Sequence, residues 1–333
     1  MPALSPSRLV DAVTAAFDEC DATAILTSSL RGHPRQFIVQ SGRDTIELWV
    51  YMWTLTHGGG SARPKDEYRI QLTGVTPPLL QNPSGLTILV GYEPNINCFA
   101  GFDISKHGTF STRSPSIQIP ITTLHQALQN GFSFVTKGND EVAIGIRPDQ
   151  LLAYCINSEM LHRQGADAEM VSLLTKAASL EEIAQEDVEA IPTERKRVIR
   201  EVARLSRDSS FRRKVLLAYD RRCAVTRMQL RLIDAAHILP VGADGSADVV
   251  TNGLCLSPTY HRAFDRGLIY LNELQEMHIN PEKEQELITH RLDGGLEDFK
   301  SYLGRQVHLP ADRQQWPSAE FICQANLFRK ITT

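Results

Sequence analysis

Apolar residues recur along this chain with two different periods, and the changes between them mark its organisation. Over residues 5–18, Leu9, Val10, Val13 and Phe17 fall on one stripe at helical spacing and predict an amphipathic helix. Strand-like runs follow at 36–40, 45–51, 67–73, 86–91, 97–102, 116–119 and 141–146. Clusters of turn residues separate them, at 41–44, 57–60, 77–78, 82–85 and 137–140. Helical patterns at 122–130 and 148–157 complete an α+β domain with a mixed sheet, assigned to residues 1–162. Residues 165–190 are acidic, Ala-rich and helical in tendency, so 163–192 reads as a helical connector. A second domain is assigned to 193–333.

Within that second domain one stretch has a definite element order. Residues 233–239 form a short apolar strand ended by Pro240, and 241–248 are polar and turn-rich. Residues 253–257 return as a second strand. A helix begins at Ser257 or Thr259, runs to Asp265 and stops at Gly267. The order is strand, loop, strand, helix. Four residues separate His261 from Asp265, which puts both side chains on one helix face, where they can share a divalent ion.

Composition bounds the rest. With 42% hydrophobic residues in 333, the chain can bury two cores. No apolar run approaches the ~18 residues a membrane span needs, and no signal peptide is expected from the first residues. Six scattered cysteines without framework spacing suit a reducing, cytoplasmic location. The net charge of −4 alone argues against a polyanion partner, but residues 194–231 hold thirteen Lys or Arg against four acids. That local excess of +9, including Arg212, Arg213, Lys214, Arg221 and Arg222, lies directly ahead of the strand–loop–strand–helix segment. It predicts salt-sensitive phosphate binding; Val198, Val202 and Leu205 between the charges would equally suit a solvated helix face.

The candidate chemistry lies at His237, Asn252 fifteen residues on, His261 nine further, and Asp265. Phosphodiester hydrolysis needs water deprotonated near neutral pH, which suits an imidazole, and a cation for the charge that develops on phosphate. With its flanking residues, this set resembles the HNH (ββα-metal) endonuclease family. The resemblance implies His237 as general base, Asn252 as the residue orienting the loop and His261 as a metal ligand, with Asp265 in the place of a second helical ligand. Arg262 and Arg266 on the same helix are candidate phosphate contacts. The implied cofactor is one divalent ion, Mg²⁺ with Mn²⁺ as the other option.

Two departures from the family pattern matter. Many members place His or Asp immediately before the base, where this chain has Ala236; Asp234, on the same strand face, is the substitute candidate for the ion. Many members also carry two Cys-x-x-Cys zinc knuckles. Here Cys223 is followed by Thr226, and Ser257 and Tyr260 occupy the later pair, so no structural zinc is expected.

The expected function is that of a restriction-type endonuclease that cuts double-stranded DNA and leaves 5′-phosphates, with the first domain choosing the DNA. Trp49, Tyr51 and Trp53, the loop from His57 to Arg63 and Lys65, Tyr92 and Arg113 offer aromatic and basic groups for a modified or extruded base. Alternating strand residues share a face, however, and aromatics so placed ordinarily build a core. The alternatives are a ligand-activated defence nuclease and a catalytically dead HNH scaffold that binds DNA. The other eight histidines read as structural or surface residues. Cutting both strands from one site per chain makes a homodimer the expectation.

Overall fold

The computed structural model describes residues 3–58, 64, 66–110, 115–138 and 140–331. The chain separates into two compact units, Met1–Ser209 and Ser210–Thr333. Among the described residues no helix is long and apolar enough to cross a membrane.

The first unit opens with α1 (Pro6–Glu19), capped by Ser5 and presenting Leu9, Val10, Val13, Ala16 and Phe17 to the core. There follow β1 (Ala22–Leu26), β2 (Arg35–Ser41), β3 (Asp44–Thr54), β4 (Thr56–His57), β5 (Glu67–Gln71), β6 (Leu86–Glu93), β7 (Cys98–Phe102), α2 (Ile104–His107), β8 (Ser116–Pro120), α3 (Ile121–Asn130), β9 (Phe132–Thr136), β10 (Val142–Ile146), α4 (Leu151–Gln164), α5 (Ala168–Ser179), α6 (Gln185–Ala190) and α7 (Thr193–Ala218). Among the described residues, seven strands form a mixed sheet in the order β1-β2-β3-β6-β7-β10-β9, in which β3 and β6 run parallel and every other pair antiparallel. A second sheet has the order β4-β5-β8.

Strand alternation sends β3 side chains to two different cores. Val50 and Met52 join α1, α4 and the Val198, Ile199, Val202 and Leu205 stripe of α7, whereas Tyr51 and Trp53 join Ile70, Ile117 and Ile119. The apolar periodicity in the basic stretch is therefore a packed face of the first unit. Its last residues, from Ser210 onward, belong to the second. Strands β1 and β9, absent from the sequence reading, are the two edges of the seven-stranded sheet.

The second unit is built on β11 (Asp234–His237), β12 (Gly253–Leu256) and α8 (Pro258–Asp265), followed by β13 (Ile269–Leu271), β14 (Glu276–Ile279), α9 (Pro281–Thr289), α10 (Leu296–Lys300), β15 (Arg305–Gln306) and α11 (Ala319–Phe328). Strands β11 and β12 pair antiparallel with Asp234 opposite Leu256 and His237 opposite Gly253. Pro258 starts α8, and Gly267, at φ +69°, ends the turn after it. The core gathers Phe211, Val215, Ala236, Ile238, Leu254, Leu256, Phe264 and Ile322. This unit therefore closes around the two short strands and α8.

Candidate active site

His237 ends β11, and both the ring and its main chain are held. Its Nε2 lies 2.9 Å from Asp248 Oδ1 in the loop between the strands, and the ring stacks on Phe211 at a centroid distance of 3.7 Å and an angle of 12°. A carboxylate only accepts, so the Nε2 proton belongs on the bond to Asp248, and the lone pair is left on Nδ1. Phe211 fixes the plane of the ring and Asp248 its tautomer.

Asn252 is fully buried and serves the loop. Its Oδ1 accepts from the Leu239 N–H at 2.8 Å, and its Nδ2 donates to Leu239 O at 3.2 Å, Ala247 O at 3.0 Å and Ser246 Oγ at 3.3 Å. Its own carbonyl accepts from Ile238 N–H at 2.9 Å. One side chain thus satisfies the polar backbone at both ends of the 239–247 loop, which burial would otherwise penalise. Gly253 beside it lets α7 come close, since a Cβ there would lie 2.4 Å from Val215 Cγ2.

On α8, His261 stands between two carboxylates. Its Nδ1 is 3.3 Å from Asp234 Oδ2, and its Nε2 is 3.4 Å from Asp265 Oδ2. Arg212 lies 3.6 Å from the other Asp234 oxygen. Burial alone would push the Asp234 carboxyl up; the hydrogen bond and charge of His261, with Arg212, outweigh it and hold this group below the usual carboxylate range.

The spacing of two donors on this helix is compatible with one shared divalent ion. Two ligand atoms held side by side on an octahedral ion at ~2.1 Å stand roughly 3 Å apart, close to the 3.4 Å between His261 Nε2 and Asp265 Oδ2. Asp234 takes the opposite ring nitrogen, the place of a carboxylate that orients a ligating imidazole. The structure therefore brings Asp234, His261 and Asp265 together, but with the imidazole between the carboxylates. Among the described residues no three His, Cys, Asp or Glu side chains are gathered to hold an ion.

The basic candidates divide. Arg212 is turned inward, with Nη2 donating to Ile233 O at 3.1 Å beside its contact with Asp234. Arg213, Lys214 and Arg221 are exposed, and Arg222 Nε donates to Asp220 at 3.3 Å. Arg262 on α8 and Arg266 just past its end line a cavity of about 600 Å³ together with Leu268, Leu287, Leu296 and Phe299. The sequence reading missed Phe211 and Asp248. Asp248 carried a visible signal, being the last acid of the loop four residues before Asn252; Phe211 carried none.

In the first unit, Tyr51 and Trp53 are core residues with satisfied polar tips: Tyr51 Oη donates to Leu80 O at 3.0 Å and Trp53 Nε1 to Thr73 O at 3.2 Å. His33 stacks on Trp53 at 4.3 Å. Trp49 is half-buried and Tyr92 buried, its hydroxyl on Asn97. Residues 59–63, Lys65 and Arg113 lie outside the described residues.

Comparison with known proteins follows the same division of the chain. Residues 223–272 match the family described as HNH endonuclease, and residues 46–155 the family described as Methylase-associated X1. No curated protein matches. Among solved structures, "Modification dependent TagI restriction endonuclease" aligns over 84% of this chain and 80% of that one, with 13% identity and a TM-score of 0.28. The strand–loop–strand–helix segment carrying His237, Asn252 and His261 therefore lies within the part of the chain that is similar to HNH endonucleases, and the first unit holds the part that is similar to the Methylase-associated X1 family.

Proposed function

We propose that this chain is a restriction-type endonuclease that hydrolyses double-stranded DNA with one divalent ion, Mg²⁺ or Mn²⁺, and leaves 5′-phosphate ends. The observation that carries the reading is the pairing of a tautomer-fixed His237 with the His261–Asp265 couple inside the segment matched to HNH endonucleases. A methylase-associated family in the same chain supports the restriction-type assignment, and selection of the DNA belongs to the first domain in this reading.

The chain's own groups have distinct tasks. His237 Nδ1 takes the proton from the attacking water, while Asp248 stabilises the imidazolium that results. His261 Nε2 and Asp265 would hold the ion, which supplies charge for the phosphorane and the leaving oxygen. Asp234 holds the other nitrogen of His261, and Arg212 holds Asp234. Asn252 keeps the loop that carries Asp248 in place. Arg213, Lys214 and Arg221 supply sequence-independent attraction for the phosphate backbone. Cutting both strands calls for two copies of the chain.

The test is cleavage of matched plasmids, one unmodified and one with methylated bases, with Mg²⁺, with Mn²⁺ and with EDTA. Discrete fragments from one plasmid, abolished by EDTA and by His237→Ala, are expected; His237→Ala should lower the rate by ~10²–10⁴ while DNA binding persists. Cutting by His237→Ala at the wild-type rate would remove the assignment. Binding without cleavage by the wild type under every condition would leave the dead-scaffold alternative.

A further inference from the structure

Near the C-terminal end of the chain a half-buried arginine packs against the nuclease unit. Arg329 caps α11, its N–H donating to Ala325 O at 3.0 Å. Its Nη1 donates to Ile238 O at 2.8 Å, and its guanidinium lies 4.5 Å from the centre of the Phe264 ring. Ile238 directly follows the candidate base, and Phe264 directly precedes Asp265. The Nε and Nη2 atoms are buried and find no hydrogen-bond partner among the described residues. Burial pushes the guanidinium below its usual range, though an arginine stays charged.

That arrangement is poor for stability alone. A buried donor without an acceptor loses its water and receives nothing in return. A methionine could lie against Phe264 with no donors to satisfy. What arginine adds is geometry: a planar cation stacks on a ring and donates in its own plane, which the point charge of lysine does less well. The residue after His237, Ile238, is thereby held on both sides, its N–H by Asn252 O and its carbonyl by Arg329.

We propose that Arg329 is a positioning residue of the nuclease site, its guanidinium holding the strand end that carries His237 against the helix that carries His261 and Asp265. The proposal rests on the nuclease reading above. It gives the C-terminal tail a task in the reaction although the tail contributes no residue to the family motif.

The test compares Arg329→Met and Arg329→Lys with the wild type as full chains. Cleavage is measured as kcat and KM on a plasmid that the wild type cuts, alongside Tm and the NMR signals of the His237 ring in metal-free protein. For Arg329→Met we expect an unchanged KM, a Tm within a few degrees of the wild type, a kcat lowered ~10–100-fold, as for other residues that orient a site, and shifted or broadened His237 signals. Arg329→Lys should recover part of kcat through the bond to Ile238 O. A wild-type kcat for the methionine variant would overturn the proposal. So would joint loss of Tm and kcat in both variants, which marks a purely structural residue. If the wild type cuts no DNA, the nuclease reading fails; unchanged His237 signals in Arg329→Met would then separately refute the positioning role.

Discussion

His237 shows how much of a residue's chemistry comes from its neighbours. An isolated imidazole presents either nitrogen to a substrate. Here Asp248 claims Nε2 and Phe211 fixes the ring plane, so Nδ1 is the basic atom. Asp248→Asn keeps the shape of the loop but removes the charge that favours the Nε2–H tautomer and the imidazolium. We expect a ~10–100-fold lower kcat with Tm nearly unchanged. A wild-type kcat would mean that Asp248 only decorates the loop. The sequence displays Asp248 plainly but does not say which of the acids at 244 and 248 reaches the ring, because a turn-rich loop has no periodicity from which to read side-chain direction.

At the scale of elements, the site depends on how closely α7 approaches β12. Gly253 permits that approach, and a Cβ there would lie 2.4 Å from Val215 Cγ2 and 3.2 Å from Phe211 Cζ. Gly253→Ala should therefore destabilise the second unit by ~1–3 kcal/mol, as overpacking does, and lower kcat as well by displacing the ring on which His237 stacks. Calorimetry together with single-turnover cleavage checks both; a loss in Tm with unaltered kcat would show that the Phe211 stack is catalytically idle. The ββα order itself was legible, because each piece is local: a strand closed by Pro240, a polar loop, and a helix whose i and i+4 positions are His261 and Asp265. Edge strands β1 and β9 were not legible. An edge strand is paired on one side only, and β1 alternates between buried and exposed over just five residues, too few for the pattern to stand out.

On the whole molecule two properties can be measured. The first is the response to salt. The inward turn of Arg212 leaves Arg213 and Lys214 as the exposed pair of that triplet, so reversing both to Glu should weaken DNA binding and lower the slope of log affinity against log salt by ~0.9 per lost phosphate contact. An unchanged slope would place the phosphate path elsewhere. The second is acid sensitivity, to which three groups of the first unit contribute. Burial lowers His162 to about 4, beside Tyr154 and the Val142 carbonyl, and lowers His33 to about 3. Burial raises Glu141, but His107 and Lys137 prevail and bring it to about 2. All three folded values lie below the unfolded ones. Their stabilisation is therefore complete above pH ~6.5 for the histidines and ~4.5 for the glutamate, and is lost as the pH falls toward 4, 3 and 2. His162→Gln should lower Tm at pH 7 and flatten its decline between pH 6.5 and 4. An equal slope in the variant would assign that decline to other groups.

The sequence by itself determined the local things: which segments are strands and helices through much of the chain, the spacing that puts His261 and Asp265 on one helix face, and the resemblance that names a phosphodiester chemistry. These follow from dihedral preferences and periodicities within a few residues. Only the tertiary structure decided which side chains serve the site from afar. Phe211 under His237, Arg212 on Asp234 and Arg329 behind Ile238 come from α7 and from the end of α11. Tyr51 and Trp53 became core because a second sheet and the segment around Thr73 and Leu80 cover their face. A contact between segments tens of residues apart depends on how whole elements pack. Packing is set by the shapes of both partners together, and neither partner's own stretch of sequence contains it.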